Sequence, residues 1–145
     1  MTYLGIDFGT KRIGLAIGHA EHGLIVPLKT LFKKGNSDLF SEIISIIKEQ
    51  DIQVIVVGIP KDLYGQETLT TRQAKNFVKH LQKKTQIPIQ TTDETLSSFE
   101  AEERLIEAKV SASKRKSMLD QMAAVIILEN FLEQEPPQTC SKKRP

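Results

Sequence analysis

The stretch YLGIDFGTKRIGLAIG, Tyr3 to Gly18, decides the fold. Its two halves, Tyr3 to Phe8 and Arg12 to Ile17, are short strand-like runs joined through Gly9, Thr10 and Lys11, which is the spacing of an antiparallel pair. A third run, Leu24 to Phe32, follows the turn-like GHAEHG and completes a meander. One residue is out of place in it. Asp7 carries a carboxylate inside a run that otherwise reads as buried, where an unpaired acid is costly.

Downstream the period changes. Between Ser37 and Gln50, after an Asn36-Ser37 start signal, Leu39, Phe40, Ile43, Ile44 and Ile47 recur at helical spacing. Ile52 to Val57 is a continuous β-branched run, as in a parallel strand covered on both faces, and stops at Gly58-Ile59-Pro60. The loop KDLYGQET leads into a second amphipathic helix with Ala74, Phe77, Val78 and Leu81 on one face. Pro88 to Thr92 reads as the last strand, ending in Asp93-Glu94. Helices follow from about Ser98 to Ala108 and from about Lys116 to Leu132. We read residues 1–134 as one domain and 135–145 as a polar, proline-containing disordered tail.

The order β-β-β-α-β-α-β-α-α, with right-handed crossovers after the meander, gives an α/β fold. It has a five-stranded mixed sheet in the order 3-2-1-4-5, strand 2 antiparallel to the rest and helices on both faces. That is the ribonuclease H-like architecture. The length of 145 residues suits one domain, and 39% apolar with 26% charged residues is ordinary globular composition. A net charge of +2 is too small to mark a polyanion binder by itself. The single cysteine, Cys140, excludes an internal disulfide and a cysteine metal cluster. No membrane-length apolar run or signal pattern is present, so a cytoplasmic protein is expected.

Sites on open α/β sheets form beyond the carboxyl ends of the strands. Strand 1 is central and holds Asp7 there; strand 5 ends at Glu94, two spacings or about 10 Å away. Strand 4 between them finishes in glycine, which leaves space. Asp120 is the third candidate, with small neighbours Ala123 and Ala124 that let its helix approach the sheet. Converging carboxylates suit Mg²⁺ or Mn²⁺, one or two ions, with other positions left to water and phosphate. Two such ions can activate water and stabilise the leaving oxygen in phosphodiester cleavage. Each acid also has a plainer role: Asp7 in local hydrogen bonds, Glu94 in a solvated loop, and Asp120 in a capping box with Ser117.

Lys11, Arg12, Arg72, Lys114 and Arg115 are candidate phosphate contacts, as is Lys116 in the same run. Tyr64 stands alone in its glycine loop, so no aromatic platform is visible. His19 and His22 fall in a turn rather than on a helix, and His80 lies among lysines.

GIDFGTKRIGLAIG, VVGIPKDLYGQET, TTDETLSSFEAE and LDQMAAVIILENFL together strongly resemble the YqgF family across about residues 1–133. Its members are Holliday-junction-resolvase-like nucleases associated with the 5′ end of pre-16S ribosomal RNA. The resemblance implies a ribonuclease H-like, divalent-metal phosphodiesterase with Asp7, Glu94 and Asp120 as its catalytic and metal-ligating acids. Asp93 would be an additional ligand or a support. Expected partners are pre-rRNA or branched DNA and ribosomal precursor particles, with no membrane, for a monomer or homodimer. Two departures stand out: Thr95 where members commonly have Arg, and Gly18-His19 where they often have Ser-Asp. Two rivals remain. The DFGT motif resembles the phosphate loop of actin-like ATPases, implying a single-lobe nucleotide-binding protein, which ATP calorimetry would reveal. A non-catalytic RNA-binding assembly factor would bind nucleic acid without cutting it.

Overall fold

The computed structural model describes residues 1–33, 36–94 and 97–134. Thr95, Cys140 and the tail at 135–145 lie outside the described residues. The strands are β1 (Thr2–Phe8), β2 (Arg12–His19), β3 (Leu24–Phe32), β4 (Val54–Pro60) and β5 (Ile89–Glu94). The helices are α1 (Asn36–Glu49), α2 (Leu69–Gln82), α3 (Ser97–Glu107) and α4 (Ala112–Gln134), with a 3-10 turn at Ala20–His22. The sheet order is β3-β2-β1-β4-β5. β2 runs antiparallel to both its neighbours, whereas β1, β4 and β5 are parallel. This is the expected topology.

The two faces of the sheet are built from different residues because side chains alternate along each strand. Leu4, Ile6 and Phe8 of β1, Ile13, Leu15 and Ile17 of β2, and Ile55, Val57 and Ile59 of β4 point to one side. There they pack against Leu39, Phe40, Ile43 and Ile47 of α1 and Ala74, Phe77, Val78 and Leu81 of α2. Phe77 joins the two layers, with ring centroids 5.3 Å from Phe8 and 5.5 Å from Phe40. Each fully buried Leu or Ile here is worth about 1.5–3 kcal/mol, so this face supplies most of the core stability.

The opposite face carries Gly5, Gly14, Ala16, Gly18, Val56 and Gly58, and α4 lies against it. A Cβ at Gly5 would stand 2.5 Å from Leu128 Cγ, and one at Gly14 only 2.0 Å from the Asp120 carbonyl oxygen. Glycine is required because the helix backbone itself touches the strands. Ala124 and Leu128 pack on the sheet, while Ala123 and Ile126 meet Ala101 of α3. Ala123 through Leu128 are therefore all buried, between the sheet and α3.

Three boundaries differ from expectation. β4 continues past Gly58 to Pro60, whose carbonyl accepts from the buried Thr71 hydroxyl at the start of α2. β5 starts at Ile89 rather than Pro88 and runs through Glu94 as expected. α4 begins at Ala112, so Ser117 is inside the helix, where its Oγ donates to the Lys114 carbonyl at 2.9 Å. The capping-box role for Ser117 and Asp120 is thereby excluded.

Candidate active site

Asp7 is the centre of the site, and its register explains how other acids reach it. Its partner on β2 is Gly14 and its partner on β4 is Gly58. Neither neighbour has a side chain, so both flanks of Asp7 are open on the α4 face. Asp120 fills one flank: a Cβ on Gly14 would be 2.8 Å from Asp120 Cβ. Glu94 and Ile127 lean over the other, with Glu94 Cγ at 3.3 Å and Ile127 Cδ1 at 2.4 Å from a Cβ on Gly58. Glu94 lies level with Pro60 on β4, two residues beyond Gly58, and so shares its face.

The electrostatics follow from that crowding. The Asp7 carboxyl is pushed up to about 7, first by burial, then by the negative charge of Asp120 and of Glu94. Asp120 has a countercharge, because Arg12 Nε lies 2.8 Å from its Oδ2. Among the described residues, no three acidic, histidine or cysteine side chains close tightly enough on one point to hold an ion as they stand. By donor chemistry the three acids nonetheless fit a hard divalent cation. All are oxygen ligands, and the negative charge that, after burial, pushes the Asp7 carboxyl up is what a cation relieves.

The remaining expected residues separate into groups. Lys11 is exposed on the β1–β2 turn and lines a 250 Å³ hollow with Gly9, Thr10, Arg12 and Asp120. Arg12 is paired with Asp120 in this structure, and its side chain remains partly exposed. Arg72, on α2, adds to the positive charge around Glu67, which pairs with Lys75. Lys114 is exposed in the first turn of α4. Arg115 folds back, its Nη1 donating to the Val110 carbonyl at 3.0 Å, so it secures the helix start. Asp93 is exposed and pairs with Lys61 at 3.1 Å; adjacent to Glu94 on the strand, it points to the other face.

Sequence reasoning missed what lies beside Asp120. Phe32 at the end of β3 is 57% exposed and stands opposite Arg12 across the β2–β3 pair. Thr30, Phe32, Lys116 and Gln121 line a cleft with Arg12 and Asp120. The available signal was the meander register, which sets the end of β3 beside the start of β2.

A five-stranded sheet in this order, with acids at the carboxyl ends of its first and last strands, defines the ribonuclease H-like class. Known structures agree. The RuvC of T. thermophilus in complex with Holliday junction substrate matches with a TM-score of 0.59 at 14% identity, over 93% of this chain and 96% of that one. The fowlpox virus Holliday junction resolvase matches with a TM-score of 0.56 at 11% identity, over 92% and 99%. At these identities the likeness establishes the fold alone. The chain belongs to the RuvX family, described as Holliday junction resolvase, whose family model matches residues 1–134. A relative from Maridesulfovibrio salexigens is 45% identical over 132 residues, covering 91% of this chain and 98% of its own length. One from Neisseria gonorrhoeae is 42% identical over 137 residues, covering 94% and 91%. Both carry the name "Putative pre-16S rRNA nuclease". The family bears out the resemblance carried by the four sequence blocks.

Proposed function

We propose that this chain is a divalent-metal-dependent nuclease that hydrolyses phosphodiester bonds, acting in maturation of the 5′ end of pre-16S rRNA during ribosome biogenesis. The names of its relatives supply the substrate and the family supplies the reaction class. The single observation that carries the chemistry is Asp7 between two glycines, with Asp120 and Glu94 leaning in over them.

Asp7, Glu94 and Asp120 are the residues that would hold Mg²⁺ or Mn²⁺. An ion held there would supply Lewis acidity, activating water for attack and offsetting charge on the departing oxygen. The chain's own groups do the rest. Asp7 is fixed by β1 at the middle of the sheet, so its carboxylate is the rigid member of the set. Glu94 is anchored through its backbone, whose carbonyl accepts from Lys61 N at 3.1 Å. Arg12 neutralises Asp120 in the cation-free protein and so keeps two like charges from facing each other unscreened. Lys11 projects from the adjoining turn, where a phosphate on the scissile strand would sit. The reading implies a cytoplasmic protein working on precursor ribosomal particles as a monomer or homodimer. Among the described residues no helix is long and apolar enough to cross a membrane.

The test is cleavage of a pre-16S 5′ fragment by purified protein with Mg²⁺ or Mn²⁺, lost in EDTA and in Asp7→Asn. Unchanged cleavage by Asp7→Asn would refute the assignment. A second reading, resolution of branched DNA, is favoured by the family description. A four-way DNA junction offered at equal concentration separates the two by rate.

A further inference from the structure

Beside the acids lies a cleft that the proposed chemistry leaves unused. Its volume is 420 Å³, and it is walled by Arg12, Thr30 and Phe32 of the sheet and by Ser113, Lys116 and Gln121 of α4. It shares Arg12 and Asp120 with the 250 Å³ hollow at the β1–β2 turn, so the two lie side by side. Its position follows from the chain. Arg12 and Phe32 are directly paired across β2 and β3, and Gly14 pairs with Thr30 two residues on. Residues paired in this way share a face, here the one that α4 covers. Gln121 Nε2 donates to Thr30 Oγ1 at 3.3 Å and ties helix to strand at the back of the cleft. Ser113, Lys116, Ser117 and Asp120 stand at i, i+3, i+4 and i+7 along α4, so they line one wall.

The chemistry of this cleft is specific. Phe32 is its one aromatic ring, and more than half of it faces solvent. Arg12 and Lys116 are its two cations. An exposed ring flanked by cations, opening onto the acids of a nuclease, is the arrangement that takes a base on its π-face and the attached phosphate on the charges. Bases in a duplex have their faces covered by neighbours, so only an unpaired nucleotide can stack there. We infer that the cleft binds an unpaired nucleotide next to the scissile phosphate, its base on Phe32 and its phosphate on Lys116 and Arg12. The inference rests on the nuclease reading and adds to it: the substrate is single-stranded at the position beside the cut.

The experiment reads binding without cleavage. The sequence contains no tryptophan, so Phe32→Trp places the sole indole of the protein in the cleft. In EDTA, its emission is titrated with a single-stranded oligoribonucleotide and with a blunt RNA duplex, while the anisotropy of labelled RNA reports binding in parallel. The expected result is saturable quenching by the single strand only. Phe32→Ala, tolerated because the ring is exposed, should weaken single-strand binding about tenfold, the order of one base stack, and change duplex binding less than twofold. Saturated anisotropy with unmoved emission would overturn the inference while leaving the nuclease reading intact. Emission that changes with protein concentration alone, matched by sedimentation, would make Phe32 a contact between copies and overturn it as well. Absence of binding by any nucleic acid would overturn both.

Discussion

Gly14→Ala is the sharpest perturbation the structure offers, because one methyl group tests both the packing and the site. Gly14 lies in an ordinary stretch of β2, so alanine is compatible with its backbone and would gain about 0.5–1 kcal/mol from a less flexible unfolded chain. Against this, the new Cβ would stand 2.0 Å from the Asp120 carbonyl oxygen and 2.2 Å from its carbonyl carbon. Those are backbone atoms, so no rotamer change relieves the overlap. Ordinary contact lies more than about 1 Å further out, and α4 must lift from the sheet by that much. Overpacking of this kind costs about 1–3 kcal/mol, and a rigid backbone partner puts it at the upper end. The net loss of about 2 kcal/mol should lower Tm by about 5–10 °C. The lift occurs at the residue that carries the third acid. Displacement of a reacting group by about 1 Å can reduce the rate about a hundredfold, and cleavage should fall by that order well below Tm. Gly18→Ala is the control on the same strand and face. Its Cβ would approach nothing closer than Leu128 Cδ1 at 3.3 Å, a movable side-chain end, so stability should change by less than about 0.5 kcal/mol. Differential scanning calorimetry and gel-based cleavage of end-labelled RNA measure the two quantities. If Gly14→Ala melts and cuts as Gly18→Ala does, the close seating of α4 at Asp120 is not what builds the site.

Asp7→Asn should abolish cleavage yet hold or raise Tm in EDTA at pH 7 to 8, because it removes the charge that burial, Asp120 and Glu94 oppose. A carboxyl raised from 3.8 to about 7 stabilises the fold below pH 4, and that contribution fades as pH rises to 7. The Tm of the unsubstituted protein relative to Asp7→Asn should therefore decline between pH 4 and 7, and a flat difference across that window would contradict the crowding. Arg12→Gln removes the cation held against Asp120 and should tighten Mn²⁺ binding severalfold by calorimetry; weaker binding would show that Arg12 organises the acid instead of competing for it. Lys116→Ala should reduce the slope of log affinity against log salt for single-stranded RNA by about 1, whereas Arg115→Ala should leave the slope alone and lower Tm through its lost bond to Val110.

The topology was readable because the signals that set it are local. Three strand runs with short connections could only be a meander, and β-branched runs separated by helices could only be parallel. The start of α4 was misread for an equally local reason. Ser117 and Asp120 have capping-box spacing, but the actual cap is Ser111, whose carbonyl accepts from Arg115 N at 2.8 Å and whose hydroxyl faces Lys114 N. Serines stand at 111, 113 and 117, and the helix starts directly after the first of them. Asp7, Glu94 and Asp120 could be nominated from strand ends and resemblance. The Arg12–Asp120 pair could not, since it joins residues near opposite ends of the chain. Arg115 carries the same charge as its neighbours, and only the structure separates it from Lys116. The Phe32 cleft was hidden because an aromatic residue closing a strand reads as core.

The division of the sheet into a bulky face and a bare face is what lets one fold carry both stability and a dense negative site. Had Asp7 stood among Leu, Ile and Val on the α1–α2 side, its neighbours would have covered it and no second acid could have reached it. On the α4 side, the two positions that flank it are glycines: Gly14 meets the backbone of Asp120, and Gly58 meets the side chains of Ile127 and Glu94. The first of these contacts does not relax as side-chain packing does. The acids are therefore held together despite their repulsion, which adds to burial in pushing the Asp7 carboxyl up to about 7. The same rigidity explains why Arg12 matters. It stands at the first residue of β2, two positions before Gly14 on the same face, where it can discharge Asp120 without entering the space above Asp7.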